Sequence, residues 1–261
     1  MIIPVYKKIG ESTHLLAKKI GDKFNSKATH TGTLDPMAEG VVIVLTAEDR
    51  FQKANFSDWK KTYQFEIMLG VDTDSLDLLG LSTKIIDEKN VEKIQENNSD
   101  KLTKNLNKII PKFIGEQTQL QPFFSAKRVD GKSQFDKAKA GEKIETVKNK
   151  INIYSLEILG NENISLVKLE KEIVEKISLI KGNFRQEKIL ENWQQTFTTL
   201  KKLGIKTLPI IKLEAEVGKR TYVRALTKDL VKQIRLPATT RSIIRTKNGE
   251  YEINNCSTVL I

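Results

Sequence analysis

The sequence contains very few of the side chains that build disulfides and metal centres. Among its 261 residues there is one cysteine, Cys256, and there are two histidines. One thiol cannot form an internal disulfide, and it cannot by itself supply the ligands of a zinc site. We therefore expect Cys256 to be a small, buried or half-buried apolar side chain without a chemical role.

Long apolar runs are absent as well. No stretch reaches the roughly 20 apolar residues that a membrane-spanning helix needs, and residues 1–10 hold too few apolar side chains for a secretory signal. Hydrophobic residues nevertheless make up 39% of the chain, which is enough for a sizeable core in one large domain or two small ones. The sequence therefore predicts a soluble, cytoplasmic protein with no membrane partner.

Acidic residues are outnumbered by basic ones. The chain has 44 Lys and Arg residues against 33 Asp and Glu residues, which gives a net charge of +11. The excess is concentrated in residues 212–247, with ten basic and three acidic residues, and in residues 127–150, with eight and four. Such a surplus favours a polyanionic partner through counterion release. Charge alone supports an RNA-binding groove and a lysine-rich surface kept for solubility about equally.

Strand and helix signals alternate along the chain without a strict strand–helix–strand rhythm. The patterns predict helices over about 13–24 and 221–234, and strands over 41–45, 63–69, 151–159 and 213–217. Residues 162–202 are charged and have helical spacing, with a polar break near Gly182. This mixture predicts an α+β fold.

The segment from His30 to Gly40, HTGTLDPMAEG, is the most informative part of the sequence. It lies between a predicted helix and a predicted buried strand, where rigid elements can hold a functional loop. Asp35 precedes Pro36, which favours an extended backbone for the aspartate. An isolated Asp-Pro pair is more often only a turn or a helix cap, so the interpretation depends on the whole segment.

Seven consecutive residues, His30 to Pro36, resemble the signature of the TruB family of tRNA pseudouridine synthases. Further matches follow in the family's order: Lys61-Thr62-Tyr63, the acidic turn from Leu69 to Gly80, Gln119 to Ala126 followed by Gly131 and Phe135, Thr221-Tyr222-Val223-Arg224 with Leu226 and Asp229, and Arg245 to Tyr251. The resemblance covers most of residues 7–251, with a gap near 160–206. It implies a mixed β-sheet catalytic core of the pseudouridine synthase type, with flanking helices and a thumb loop.

The resemblance implies that the protein isomerises uridine 55 in the T-loop of tRNA to pseudouridine, without a cofactor. The bond from C1′ to N1 of the base breaks and C1′ joins C5, and a carboxylate suits the electron-poor sugar carbon. The family's nucleophile falls on Asp35. Arg224 is expected to pair with Asp35 and to keep it ionised, and Tyr63 is expected to stack on the base and to help move a proton.

The resemblance also implies residues that bind the substrate. His30 is expected to fill the space that the flipped nucleotide leaves in the RNA, Tyr222 to support the pocket, and Ile243 to form its apolar wall. Four basic side chains complete the expected RNA-binding set: Lys7, Lys127, Arg128 and Arg220. Each residue alone has an equally good structural interpretation, and only their joint order favours the functional one.

Two departures from the family's pattern lie near the expected site. Phe124 replaces a tyrosine and loses a hydroxyl, and Arg220 replaces a glycine and adds bulk beside the pocket. Asp74 and Asp77 belong to an acidic turn that we interpret as solvated and self-capped, and we predict no metal there.

The matches predict one catalytic domain over residues 1–251. Within it, residues 112–150 resemble the family's thumb, which closes over RNA, and residues 160–206 are expected to be a helical insertion. A short tail, 252–261, follows, and we expect the small RNA-binding β-barrel of bacterial relatives to be absent. We hypothesise that the insertion supplies RNA contacts in its place.

Two other functions stay open from the sequence. One is a non-catalytic protein that binds or folds tRNA on the same scaffold, and the other is a nucleoside hydrolase that uses the same carboxylate. The presence of Asp35, Arg224 and Tyr63 favours an enzyme over a binding protein. We predict a monomer that acts on the tRNA T-arm without a guide RNA, because the sequence contains no evident further domain for recruiting partners.

Overall fold

The computed structural model describes residues 1–95, 99–124, 128–129, 132–133 and 147–256. Much of the predicted thumb therefore lies outside the described residues, as do several of the sequence matches: Ser125, Ala126, Gly131 and Phe135. In the part of the chain that is described, no helix combines the length and the apolar character needed to cross a membrane.

The described strands and helices alternate irregularly along the chain. The strands are β1 (Ile2–Lys7), β2 (Ala28–Thr31), β3 (Ala38–Thr46), β4 (Lys61–Leu69), β5 (Val71–Thr73), β6 (Ser82–Ile85), β7 (Gly115–Leu120), β8 (Arg128–Val129), β9 (Lys132–Ser133), β10 (Lys148–Ser165), β11 (Thr207–Val217), β12 (Ala238–Asn248) and β13 (Tyr251–Glu252). The α-helices are α1 (Thr13–Lys23), α2 (Lys53–Ser57), α3 (Ser99–Ile109), α4 (Leu166–Ser178), α5 (Gln186–Lys202) and α6 (Val223–Lys232).

Most of the strands belong to one mixed sheet. Its order is β1-β3-β12-β4-β11-β10-β7, with β2 paired to β3 and β13 paired to β12. Strands β3 and β12 run parallel, with Ile243 opposite Ala38, whereas the other described pairings in this sheet are antiparallel. Two-stranded ribbons, β5-β6 and β8-β9, lie outside it. The predicted α+β class is confirmed.

The central strands form because their side chains can be buried. Strand β3 reads AEGVVIVLT, and its residues from Val41 to Leu45 are fully buried, as expected for a β-branched run inside a sheet. Strand β4 crosses the middle of the sheet, where Tyr63 lies opposite Ala215 on β11 and opposite Arg245 on β12. This register places the polar side chains of Tyr63 and Arg245 on neighbouring strands.

The prediction for residues 160–206 is wrong at the start of the segment. Residues 160–165 continue strand β10 and pair with β11 as far as Ser165, which lies opposite Thr207. The chain stays extended there because its backbone groups find partners on β11. Helix α4 begins only at Leu166, where the Ser165 hydroxyl accepts a hydrogen bond from the Lys168 N–H.

Helices α4 and α5 are part of the main core. Ile173 and Ile177 on α4, and Trp193 and Phe197 on α5, are buried and belong to the same cluster of apolar side chains as the sheet. The Trp193 indole N–H also donates to the Leu78 carbonyl at 3.1 Å. The helical segment therefore packs into the main body of the protein.

An ion-pair network also ties α4 to the sheet. Arg241 on β12 contacts Glu66 on β4 at 2.6 Å and Glu172 on α4 at 2.5 Å. Lys176 contacts the other Glu172 oxygen at 2.7 Å. All four side chains are at most one-fifth exposed, so water screens these pairs less than it screens surface pairs.

We predict that Gly40→Ala destabilises the protein strongly. A Cβ at this position would lie 2.2 Å from the Arg245 carbonyl oxygen, and the backbone φ is +115°. The free energy of unfolding should fall by roughly 3 kcal/mol, as measured by urea denaturation. Gly204→Ala is the matched control, because its φ is +74° and no described atom lies within 4 Å. Gly204→Ala should lower the free energy of unfolding by only about 1 kcal/mol. Equal losses in the two variants would contradict the explanation from packing.

Candidate active site

A cavity of about 450 Å³ opens between the loop after β2, strands β4 and β12, and the connection from β11 to α6. Its size suits a small ligand or one nucleotide. The structure brings five of the expected site residues to its wall: Asp35, Tyr63, Arg220, Tyr222 and Ile243.

The loop that carries Asp35 is fixed on both sides of the aspartate. The Leu34 N–H donates to the Thr13 hydroxyl at the start of α1, at 3.1 Å. The Gly10 N–H donates to the Pro36 carbonyl at 2.9 Å. The Asp35 side chain itself is 24% exposed. The loop is thus held by rigid elements while its carboxylate can reach a molecule in the cavity.

Lys7 does not fit the RNA-binding role that the sequence indicated. Its side chain is fully buried, and its ammonium donates to the carbonyls of Lys8 at 3.1 Å, Asp35 at 3.1 Å and Ala38 at 2.6 Å. Burial lowers the pKa of Lys7 to about 8, although the charge of Asp35 opposes the shift. An ammonium enclosed in this way cannot contact RNA, so Lys7 supports the Asp35 loop.

Arg224, near the start of α6, reaches Asp35 from far along the chain. Its Nε donates to Asp35 Oδ2 at 2.8 Å. Its Nη1 donates to the Ser75 carbonyl at 2.6 Å, and its Nη2 donates to the Phe124 carbonyl at 2.8 Å. The arginine is buried, at 3% exposure. All three of its nitrogen atoms therefore have partners that fix the direction of the guanidinium.

The expectation of a solvated acidic turn is wrong, because Asp77 is buried. Its Oδ1 accepts hydrogen bonds from the Ser75 hydroxyl at 2.6 Å and from the Leu79 N–H at 3.0 Å. Its Oδ2 lies 3.6 Å from Arg224 Nε. Burial raises the pKa of Asp77, and Arg224 opposes that shift. These contacts replace water around the carboxylate, which is why it can lie inside.

Two carboxylates thus face one guanidinium. Burial alone would lower the pKa of Arg224, but the charges of Asp35 and Asp77 outweigh burial and raise it. The guanidinium is therefore charged and compensated. Removing one partner of such a buried pair leaves an uncompensated charge, which costs several kcal/mol.

Tyr63 is held by Arg245. The Arg245 Nη1 lies 3.4 Å from the Tyr63 hydroxyl, and its Nη2 donates to the Gly32 carbonyl at 3.1 Å. Its Nε donates to the Val41 carbonyl at 2.6 Å, and the side chain is 1% exposed. No role for Arg245 followed from the sequence. Its place in the segment from Arg245 to Tyr251, which resembles a family motif, was the only indication of one.

Tyr222 enters the cavity wall from the turn before α6. Gln119 on β7 donates to the Tyr222 carbonyl at 3.1 Å and accepts the Tyr222 N–H at 2.8 Å. This paired contact fixes the backbone at the start of the helix that carries Arg224. Gln119 lies in a segment whose sequence resembles a family motif, but the sequence did not show that Tyr222 is its partner. Ile243, on β12, is buried and supplies an apolar part of the wall.

Arg220 lies at the cavity in the left-handed region of the backbone, with φ of +65°. That region favours glycine, so the backbone is strained at this arginine. The preceding residue, Lys219, pairs with Asp58 across the cavity wall at 2.7 Å.

His30 lies on β2, opposite Val44 of β3, and is not among the described residues that line the cavity. Burial, followed by the charge of Lys53, lowers the pKa of His30 to about 4. The imidazole is therefore neutral at neutral pH. Lys127 lies outside the described residues, and so does the side chain of Arg128.

With this geometry established, comparison with known proteins places the chain in a family. Residues 18–177 match the family model described as "TruB family pseudouridylate synthase (N terminal domain)". The match spans more than half of the chain. The chain belongs to the TruB family.

Curated TruB relatives align over nearly the whole chain. A "tRNA pseudouridine synthase B" of Caldanaerobacter subterraneus subsp. tengcongensis is 28% identical, over 99% of this chain and 72% of its own length. The protein of the same name from Ligilactobacillus salivarius is 30% identical, over 97% of this chain and 68% of its own length. The predicted family is thereby confirmed.

A solved structure agrees in fold. "Crystal Structure of a Cbf5-Nop10-Gar1 Complex" superposes with a TM-score of 0.54 at 16% identity, over 96% of this chain and 49% of that chain. The chain thus spans about half the length of that protein. At this level of identity the likeness establishes the shared fold.

Three groups of this TruB site can take part in chemistry: the carboxylate of Asp35, the phenol of Tyr63 and the guanidinium of Arg224. Lys61 also lines the cavity, and burial, followed by the charge of Arg245, lowers its pKa to about 8. Within the described residues, no three His, Cys, Asp or Glu side chains are arranged to hold a metal ion. A carboxylate, a phenol and an amine are the kinds of group that can act as a nucleophile or carry a proton.

We predict that Lys7→Met weakens the fold and leaves RNA binding nearly unchanged. The variant keeps the apolar stem of the side chain but removes the buried donors of the Asp35 and Ala38 carbonyls. The free energy of unfolding should fall by about 2 kcal/mol, whereas Lys8→Met, at an exposed neighbour, should leave it unchanged. Urea denaturation and a fluorescence titration with T-loop RNA measure both effects. A loss of RNA affinity at unchanged stability would restore the sequence-based interpretation.

We predict that His30 makes stability depend on pH between 6.5 and 4. Its folded-state pKa lies below its ordinary value of 6.5, so the unfolded chain takes up this proton first as the pH falls. The stability that neutral His30 contributes is present above pH 6.5 and is lost as the pH falls towards 4. His30→Gln should flatten this part of the curve in chemical denaturation. If the curves of stability against pH for the wild type and for His30→Gln differ only by a constant offset, His30 is not the source of the pH dependence.

Proposed function

We propose that this TruB protein isomerises uridine 55 in the T-loop of tRNA to pseudouridine, with Asp35 as the nucleophile. The observation that carries the proposal is the Asp35 carboxylate at the wall of an open cavity, held at 2.8 Å by the buried Arg224. The name shared by the curated relatives supports tRNA as the substrate.

The reaction balances without any other reagent. The Asp35 carboxylate attacks C1′, and the C1′–N1 bond breaks with its electron pair moving to the uracil. The base turns so that C5 attacks C1′ and releases Asp35. The C5 proton is lost and N1 gains a proton, so the product has the composition of the substrate. Because Arg224 engages Oδ2, we assign the attack to Oδ1.

Tyr63 is the group that we assign to the base. It lines the same cavity as Asp35, its ring is largely buried, and its hydroxyl is near Arg245. An aromatic ring fixed in this way can stack on the flipped uracil. Its hydroxyl is the candidate for moving the C5 proton, and Ile243 closes the apolar side of the pocket.

The charge of the cavity wall suits an RNA substrate. Lys219 and Arg220 lie at the turn before α6, within the basic segment 212–247. Phosphate contacts from such residues position an RNA strand. We infer that residues 1–251 act as one catalytic domain, as a cytoplasmic monomer and without a guide RNA.

A non-catalytic tRNA-binding or tRNA-folding protein is the alternative. It has no use for a carboxylate that a buried arginine holds at an open cavity, because a negative charge there repels phosphate. The Asp35–Arg224 geometry therefore favours the enzyme.

We predict that Asp35→Asn abolishes product formation and changes the RNA dissociation constant by less than about fivefold. The amide keeps the shape of the side chain but is not a nucleophile. Tritium release from T-loop RNA labelled at C5 of uridine measures the isomerisation, and a fluorescence titration measures binding. Asp58→Asn is the matched control, because Asp58 also lines the cavity and pairs only with Lys219 among the described residues.

Three results would overturn this assignment. If Asp35→Asn still releases tritium, Asp35 is not the nucleophile. If the wild-type protein binds the RNA but releases none, the alternative binding function is correct. Release of free uracil would instead identify a nucleoside hydrolase.

A further inference from the structure

Arg185 links the helical segment α4–α5 to the turn that lies behind the active site. It directly precedes α5 in the left-handed backbone region, with φ of 65° and ψ of 30°. Its Nη1 donates to Asp74 Oδ2 at 3.0 Å, and its Nη2 donates to Asp74 Oδ1 at 3.4 Å. The two side chains are 18% and 24% exposed. A two-point contact between partly buried groups fixes orientation as well as distance.

The same guanidinium covers Phe124. The Arg185 Cζ lies 4.7 Å from the centre of the Phe124 ring, at a distance where a cation is attracted to an aromatic face. One side chain of the helical segment therefore contacts both Asp74 and Phe124.

These two contacts adjoin the groups that hold Arg224. The carbonyl of Ser75, directly after Asp74, accepts from Arg224 Nη1 at 2.6 Å. The carbonyl of Phe124 itself accepts from Arg224 Nη2 at 2.8 Å. Arg185 thus braces both backbone segments that fix Arg224.

Helix α5 also binds the far end of the turn. The Ser82 N–H donates to the Asn192 side-chain oxygen at 2.6 Å, and the Trp193 indole N–H donates to the Leu78 carbonyl at 3.1 Å. Inside the turn, a Cβ at Gly80 would lie 2.4 Å from Ser75 Oγ. The turn is therefore packed tightly and is held from outside along its length.

We propose that Arg185 is a positioning residue for the isomerisation: through Asp74 and Phe124 it holds the two carbonyls that orient Arg224 towards Asp35. The helical segment α4–α5 thereby acts on the reacting carboxylate without lining the cavity. The proposal rests on the proposed function, since Arg224 matters for catalysis only if Asp35 is the nucleophile.

The kinetic test compares Arg185→Gln and Arg185→Lys with the wild type. Single-turnover tritium release should slow about tenfold in Arg185→Gln, while the RNA dissociation constant should stay within about twofold. Arg185→Lys keeps the charge near Asp74 and should recover most of the rate. Lys201→Gln is the matched control, because it removes an ion pair with Glu170 that lies within the helical segment, and it should keep the wild-type rate.

A double variant tests whether Arg185 acts through Asp74. Asp74→Asn combined with Arg185→Gln should be no slower than the slower single variant, because both substitutions remove the same contact between Arg185 and Asp74. The proposal is overturned if the two substitutions slow tritium release by factors that multiply, or if they lower only the affinity for RNA. The first result would mean independent roles, and the second would make Arg185 an RNA contact.

A second measurement does not depend on catalysis. The Nε–H signal of Arg224 in NMR spectra, assigned by its absence in Arg224→Lys, reports the bond to Asp35. Its hydrogen exchange should be at least about tenfold faster in Arg185→Gln than in Lys201→Gln. Equal exchange in the two variants would overturn the proposal. If exchange differs between the two variants as expected but the wild-type protein releases no tritium, only the proposed function is contradicted.

Discussion

The contact between Asp35 and Arg224 is the one on which the rest of the site depends. A buried guanidinium is costly unless every donor has a partner, and Arg224 finds its partners on three separate parts of the chain. The acidic turn and the segment that follows β7 both contribute carbonyls that orient the arginine. The geometry of the site therefore depends on both of these distant segments.

A second constraint acts from the opposite side of the loop. Lys7 gives its buried ammonium to the carbonyls of Asp35 and Ala38, while Arg224 engages the Asp35 carboxylate. One cation thus fixes the backbone of Asp35 and another fixes its side chain.

Much of the architecture and of the site followed from the sequence. The β-branched run of β3 and the alternation of β11 predicted buried and half-exposed strands, and the structure has both. The match around Asp35 and the match around Arg224 predicted a pair that the structure brings to 2.8 Å. These features succeed because they depend on local patterns or on an ordered set of motifs.

The failures have a common physical cause. Lys7 and Asp77 were expected at the surface because charged side chains usually remain in water. Their burial depends in part on the carbonyls of Asp35 and Ala38, which face Lys7, and on the guanidinium of Arg224, which faces Asp77. No local pattern encodes these distant partners. The contact of Arg185 with Asp74 spans 111 positions, so it too was invisible in the sequence.

The strand pairing at the base of the helical segment α4–α5 also has a structural consequence. Ser165 and Thr207 lie opposite each other on paired strands, so the chain leaves the sheet and returns to it at a single point. The entropic cost of closing a loop rises only slowly with its length. The register of β10 and β11 is set by the strand pairs on the sheet side of Ser165 and Thr207. The length of the connection can therefore change at this hairpin end without re-registering the strands beneath it, provided that the α4 and α5 side chains that complete the core are kept.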